Sequence, residues 1–196
     1  MLHPCYKDQR AAIDWARMVL ANKERFVILD TETTGIGRND EIIQIGIIDL
    51  DGNNLLNQNI RPQKRKTIPR DATNVHGLTM AELINCPVFS ELKDVMKQAI
   101  GHKDIIAYNA EFDLRLYKQS YKVSGGFLFN GNWHCAMREY AQFVGEWDDY
   151  HQNYRWHKLK SGDHTAIGDC LATLAIIREM AQTKKLKQWY EFWIGE

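Results

Sequence analysis

Two dense apolar runs, Phe26-Val-Ile-Leu29 and Ile42-Ile-Gln-Ile-Gly-Ile-Ile48, lie on either side of a short polar, glycine-containing segment, Thr33 to Asp40. Both are rich in β-branched residues and too short for buried helices, so they read as strands at the centre of a sheet. A third strand is expected from Leu55 to Arg61, after the turn residues Asp51-Gly52-Asn53 and before Pro62. With connections this short, the three strands pair as an antiparallel meander.

The rest of the chain changes character. Thr79-Met-Ala-Glu82 has the spacing of a helix-capping box. Past Pro87, the residues Phe89, Leu92, Met96 and Ile100 recur every three or four positions, so two helices follow the meander. Asp104-Ile-Ile-Ala107 reads as a short strand, Ala110 to Ser120 as a helix capped by Asn109, and Ala136 to Val144 as another helix. A last long helix is expected from His164 to Met180, with Ile167, Leu171, Leu174 and Ile177 on one face. An N-terminal helix is expected over residues 8–22 on Ile13, Ala16 and Leu20. A meander followed by alternating strands and helices makes an α/β fold, a mixed sheet flanked by helices.

The chain has 196 residues, 44% of them hydrophobic, enough for one core and read as a single domain over 1–196. No run approaches the ~20 apolar residues of a membrane span, and the start, with His3, Lys7, Asp8 and Arg10, lacks the apolar stretch of a signal peptide. Cys5, Cys86, Cys135 and Cys170 form no Cys-x-x-Cys pair, which argues against zinc and a disulfide framework and fits a reducing cytoplasm. Lys+Arg 25 balances Asp+Glu 25, unlike a protein that coats long nucleic acid, although a short contact fits.

The chemistry concentrates in carboxylates. The first strand ends Leu29-Asp30-Thr31-Glu32-Thr33-Thr34-Gly35, and a strand's period of two puts Asp30 and Glu32 on one side, about 7 Å apart at the backbone. Two partly desolvated anions repel unless a hard divalent cation compensates them. Taken alone, an Asp-x-Glu pair is more often a hydrated turn. In Asn109-Ala-Glu-Phe-Asp113, Asp113 shares a helix face with Leu116 and Tyr117 and has no Lys or Arg at i+3 or i+4. It therefore needs a metal or a distant partner, and on its own either serves. In His164-Thr-Ala-Ile-Gly-Asp169, a continuous helix would set His164 and Asp169 about 140° apart, so they converge only if His164 lies on the preceding loop, which Ser161 and Gly162 permit. A histidine there can take a proton from water near neutral pH, or can simply cap or pack.

DTETTG with Asp30 and Glu32, NAEFD with Asp113, and HTAIGD with His164 and Asp169 together resemble the three motifs of the DEDDh family of 3′ to 5′ exonucleases, in order and spacing. Val75-His-Gly-Leu-Thr79 resembles a further stretch of the DnaQ-like, proofreading-type members. The resemblance covers about residues 24–181, leaving 1–23 as the N-terminal helix and 182–196 as an aromatic tail. It implies a ribonuclease-H-like fold with a five-stranded sheet, two Mg²⁺ or Mn²⁺ ions on Asp30, Glu32, Asp113 and Asp169, and His164 as the base. It also implies Thr33, Thr34 and His76 against the terminal nucleotide, and release of nucleoside 5′-monophosphates from a 3′ end. The expected substrate is the 3′ end of single-stranded DNA, with RNA 3′-end trimming as the alternative enzyme and an idle partner-binding module as the alternative class. A polymerase or repair protein is the expected partner, and no membrane is involved.

Other signals are weaker. Phe143, Trp147, Tyr150 and Tyr154 recur at helical spacing and read as a packed face or a stacking surface, with Gly145 and Asp148-Asp149 against a continuous helix. Arg155, His157, Lys158 and Lys160 precede the His164 loop and could grip a phosphate backbone or be solvated. Arg61 with Lys64-Arg65-Lys66 reads as an exposed connection, and Leu186, Trp189, Tyr190 and Trp193 as a tail of unassigned docking.

Overall fold

The computed structural model describes residues 6–184, so the aromatic tail from Leu186 to Trp193 lies outside the described residues. The strands are β1 (Phe26–Thr33), β2 (Ile42–Ile48), β3 (Asn54–Asn59), β4 (Asp104–Ala107) and β5 (Trp133–Cys135). They form one sheet in the order β3-β2-β1-β4-β5. The first three are antiparallel as expected, and β4 and β5 join β1 in parallel.

Helix α1 (Tyr6–Ala21), α6 (Ala136–Val144) and α7 (Ala166–Gln182) cover one face of the sheet. On the other lie α4 (Lys93–Ile100), the 3₁₀ turn Phe89–Leu92 and α5 (Ala110–Ser124). The alternation along β1 sorts its residues between these faces. Phe26 and Ile28 pack with Ala16, Tyr140, Cys170 and Ile177. Val27 and Leu29 pack with Met96, Ile105, Leu116 and Tyr117. Continued past the core, the same period sends Asp30 and Glu32 toward α7, and Thr31 and Thr33 toward α5.

Two short helices, α2 (Arg70–His76) and α3 (Met80–Leu83), fill the connection after β3. The capping box at α3 forms as its spacing implied, with Thr79 N–H donating to Glu82 Oε2 at 2.7 Å. Helix α2 was not evident in the sequence. It contains only one apolar residue besides alanine, Val75, and that side chain is exposed, so burial imposes no period. Gly77 closes it in a left-handed conformation at φ 75°.

The aromatic stripe is not one continuous helix, since Phe143 alone of the four lies in α6. Gly145 ends α6 at φ 77°, and residues Trp147–Asp148 and Asn153–Tyr154 form a small hairpin, β6 and β7. Trp147 and Tyr154 are cross-strand partners with rings edge to face at 5.3 Å. Asp148 Oδ1 accepts the N–H groups of Tyr150 and His151, which turns the chain and leaves Tyr150 at the tip, 89% exposed. No helix among the described residues is long and apolar enough to cross a membrane.

Candidate active site

Three carboxylates meet at the end of β1. Ligand oxygens of Asp30, Glu32 and Asp169 all lie within 4.8 Å of one another, the first two from alternate positions of β1 and the third from the first turn of α7. Asp113 stands outside that cluster, on the opposite face of the sheet, yet near enough for its charge to act on Asp30 and Glu32. It is buried at the start of α5, and the Thr31 hydroxyl donates to its Oδ1 at 2.8 Å. Asn109 caps this helix, its side chain accepting from Phe112 N–H at 3.4 Å.

The electrostatics are those of anions crowded out of water. Burial raises Asp30 well above the usual carboxylate range, and Asp113, Asp169 and Glu32 raise it further. Glu32 is pushed up to about 8, first by burial and then by Asp169, Asp113 and Asp163. Burial moves Asp113 up to about 7 against the lowering effect of the Thr31 hydrogen bonds. Asp169 is also raised by burial, with the His164 N–H and charge opposing. A compensating divalent cation fits this all-oxygen donor set, since it removes the repulsion that otherwise keeps protons on these groups.

His164 lies on the loop before α7, as convergence with Asp169 required. Its backbone is left-handed, φ 59°, and its N–H donates to Asp169 Oδ1 at 3.2 Å. The side chain is exposed. Two glycines let this loop close. A Cβ at Gly162 would stand 2.8 Å from Asp169 Oδ1, and one at Gly168 only 1.9 Å from Asp163 Oδ1. Asp163 Oδ1 in turn accepts from Thr165 N–H and hydroxyl, and Thr165 caps α7 by accepting from Gly168 N–H.

The expected nucleotide contacts divide. The Thr33 hydroxyl donates to Gly35 O at 2.9 Å, and Thr34 is fully enclosed with its hydroxyl on Asp40 Oδ1, so both hydroxyls give their protons to the loop. His76 ends α2 with Nδ1 accepting from Leu78 N–H at 3.1 Å, while its Nε2 is enclosed without a hydrogen bond. Burial lowers its pKa and the nearby His164 lowers it further, with the Thr33 backbone opposing.

Two further residues position the site and were missed. Gln44 faces Glu32 in the β1–β2 ladder, and its Oε1 accepts Ala166 N–H at 2.8 Å while its Nε2 donates to Asn59 Oδ1. Gly46 faces Asp30, and a Cβ there would stand 2.6 Å from the Ala166 carbonyl carbon. The backbone of α7 therefore rests directly on the sheet beside Asp30. Both signals were present in the run Ile42–Ile48: its one polar residue, and a glycine inside a strand, which marks close backbone approach.

Acidic side chains gathered from a strand end and two helix starts, beside a histidine on a loop, make a site whose oxygen donors suit a divalent cation. Residues 27–177 match the family described as Exonuclease (RNase T), and the chain belongs to that family. It is 34% identical over 173 residues to an uncharacterized exonuclease, CP81, of Escherichia phage 186, covering 80% of this chain and 88% of that one. It is 29% identical over 123 residues to the DNA polymerase III subunit epsilon of Escherichia coli K12, covering 59% of this chain and 51% of the subunit. The chain thus spans about half the length of the epsilon subunits it matches. Among solved structures, exonuclease X in complex with 5′ overhanging duplex DNA aligns with a TM-score of 0.52 at 25% identity, over 81% of this chain and 94% of that one. Escherichia coli exonuclease I in complex with a dT13 oligonucleotide aligns with a TM-score of 0.63 at 15% identity, over 80% and 41%, a likeness of fold.

Proposed function

We propose that the chain is a metal-dependent 3′ to 5′ exonuclease that removes nucleoside 5′-monophosphates from the 3′ end of single-stranded DNA. The observation that carries this reading is the convergence of Asp30, Glu32 and Asp169 oxygens within 4.8 Å, with Asp113 buried against Thr31 and His164 tethered to Asp169 through its backbone.

Asp30, Glu32, Asp113 and Asp169 would hold two Mg²⁺ or Mn²⁺ ions, which supply positive charge for the developing phosphorane and lower the pKa of the attacking water. Four carboxylates match the charge of two such ions, and oxygen ligands suit these metals over zinc. His164, exposed at the rim, takes the proton from the attacking water at its imidazole nitrogen. His76, which lies near His164 and the Thr33 backbone, borders the terminal nucleotide together with the backbone at Thr33 and Thr34. The polymerase subunits among the relatives support a polymerase as partner, and the DNA-bound solved neighbour at 25% identity supports DNA as substrate.

The test is incubation with 5′-labelled single-stranded DNA and RNA bearing free or blocked 3′ ends, in Mg²⁺, Mn²⁺ or chelator. A ladder shortened from the free 3′ end of DNA, absent with chelator, is the expected result. Faster shortening of RNA would move the substrate to RNA, and cleavage that ignores the 3′ block would refute the polarity.

A further inference from the structure

Between β7 and the His164 loop, residues 155–160 run as a strap fastened at alternate positions. Arg155 N–H donates to Glu146 O at 2.7 Å, His157 O accepts the Tyr108 hydroxyl at 2.7 Å, and Leu159 packs against the α1/α6/α7 core. The intervening residues are left outward. Trp156 is 60% exposed, and Lys158 is exposed with no ion pair among the described residues. Lys160, by contrast, is engaged, lying over the Tyr140 ring and 3.6 Å from Glu179.

Trp156 does not stand on a featureless surface. It lines two adjoining recesses, of about 550 and 140 Å³, that share Asn153 and Tyr154. The smaller also contains Arg138 of α6. Arg138 lines a third recess, of about 440 Å³, whose far wall is Ala110, Glu111 and Leu114. Those residues belong to the first turns of α5, the turns that carry Asp113. The recesses therefore run from the first turns of α5, past Arg138, to the indole of Trp156, and the strap that carries Trp156 continues directly into the His164 loop. Arg138 and Arg155 are each steadied by a carboxylate, Glu111 at 3.3 Å and Asp148 at 3.9 Å.

An exposed indole and an unpaired ammonium on the strap that leads into the His164 loop, with a guanidinium where the adjoining recesses meet, have the chemistry of a single-strand platform: a π-face for a base, cations for phosphates. A neutral net charge suits so short a contact. We infer that Trp156, Lys158 and Arg138 form a track for the single-stranded nucleic acid 5′ of the bond being cut, Trp156 stacking on a base and the two cations holding phosphates. The inference rests on the exonuclease reading of the site.

The test uses the full chain and the variants Trp156→Ala, Trp156→Phe and Lys158→Ala, with Lys97→Ala on α4 as a charge control. One arm measures binding of a fluorescent single-stranded oligonucleotide of about 20 nucleotides by anisotropy without divalent metal; the site size of such platforms sets the length. The other compares kcat/KM on that oligonucleotide with kcat/KM on a dinucleotide too short to reach the strap. Trp156→Ala should weaken binding about tenfold and lower the ratio of long to short kcat/KM by a similar factor, with Trp156→Phe recovering most of it. Lys158→Ala should flatten the salt dependence of binding, and Lys97→Ala should not. Unchanged oligonucleotide affinity in Trp156→Ala, as a protein-docking surface would give, overturns the track, as does an equal loss on both substrates. Wild-type chain that binds the oligonucleotide but cleaves nothing would refute the exonuclease reading, and the affinities would still decide the track.

Discussion

Gln44 accepts the Ala166 N–H at 2.8 Å from its place opposite Glu32 in the sheet, so one side chain ties β2, the partner of the strand that carries two carboxylates, to the helix that carries the third. Removing an acceptor from an enclosed N–H costs about 1–3 kcal/mol, and loosening a residue that orients ligands typically costs 10- to 100-fold in metal affinity.

Gln44→Leu should therefore lower the melting temperature and raise the Mn²⁺ concentration for half-maximal activity by about tenfold or more. A purely structural role would lower the melting temperature of Gln44→Leu and leave its Mn²⁺ requirement at the wild-type value.

Gly46→Ala should be worse than its size suggests, because the new Cβ would press on the Ala166 backbone at 2.6 Å, and neither a strand nor a helix start yields easily. We expect a loss of about 1–3 kcal/mol in stability by chemical denaturation. A neutral substitution would show that α7 can lift from the sheet.

The raised carboxylates set a pH dependence. Between the ordinary value of 4.5 for Glu32 and its folded value of about 8, the native protein binds more protons than the unfolded chain. Without metal, stability is then greatest at low pH and falls as pH rises through that window. Melting temperatures at pH 5 and pH 8 should differ less in Glu32→Gln than in the wild type, and Mn²⁺ should narrow the wild-type difference. Equal pH slopes in the two proteins would mean that Glu32 does not titrate in this range.

The meander was legible because strands with Ile42–Ile48 density leave few arrangements, whereas the three motifs stood out through their resemblance to a known family and not through any period. Less legible was the side from which each acid arrives. Asp113 reads from its helix as simply inward, and only the sheet reveals that it meets Thr31 on the face opposite Asp30 and Glu32. The hairpin at Trp147 and Tyr154 was hidden for another reason: aromatic residues three and four apart fit a helix, and only the stop at Gly145 and the Asp148 turn say otherwise. Strand β5 is three residues long, below the length at which a period shows.

His164→Ala should bind oligonucleotide as the wild type does and turn it over about 10² to 10⁴-fold more slowly at neutral pH, with the Mn²⁺-induced rise in melting temperature retained. Single-turnover rates check this. Near-full activity would assign the proton transfer elsewhere.

The most direct test of the metal-dependent hydrolytic centre is the rate of nucleoside 5′-monophosphate release from single-stranded DNA by chelator-stripped wild type and Asp169→Asn as Mn²⁺ is restored. The wild type should pass from no release to full activity with added Mn²⁺, while Asp169→Asn, folded and melting at least as high without metal, should stay lower by about 10²-fold or more at every concentration. Release by the wild type in chelator, or equal rates for the two proteins, would contradict it.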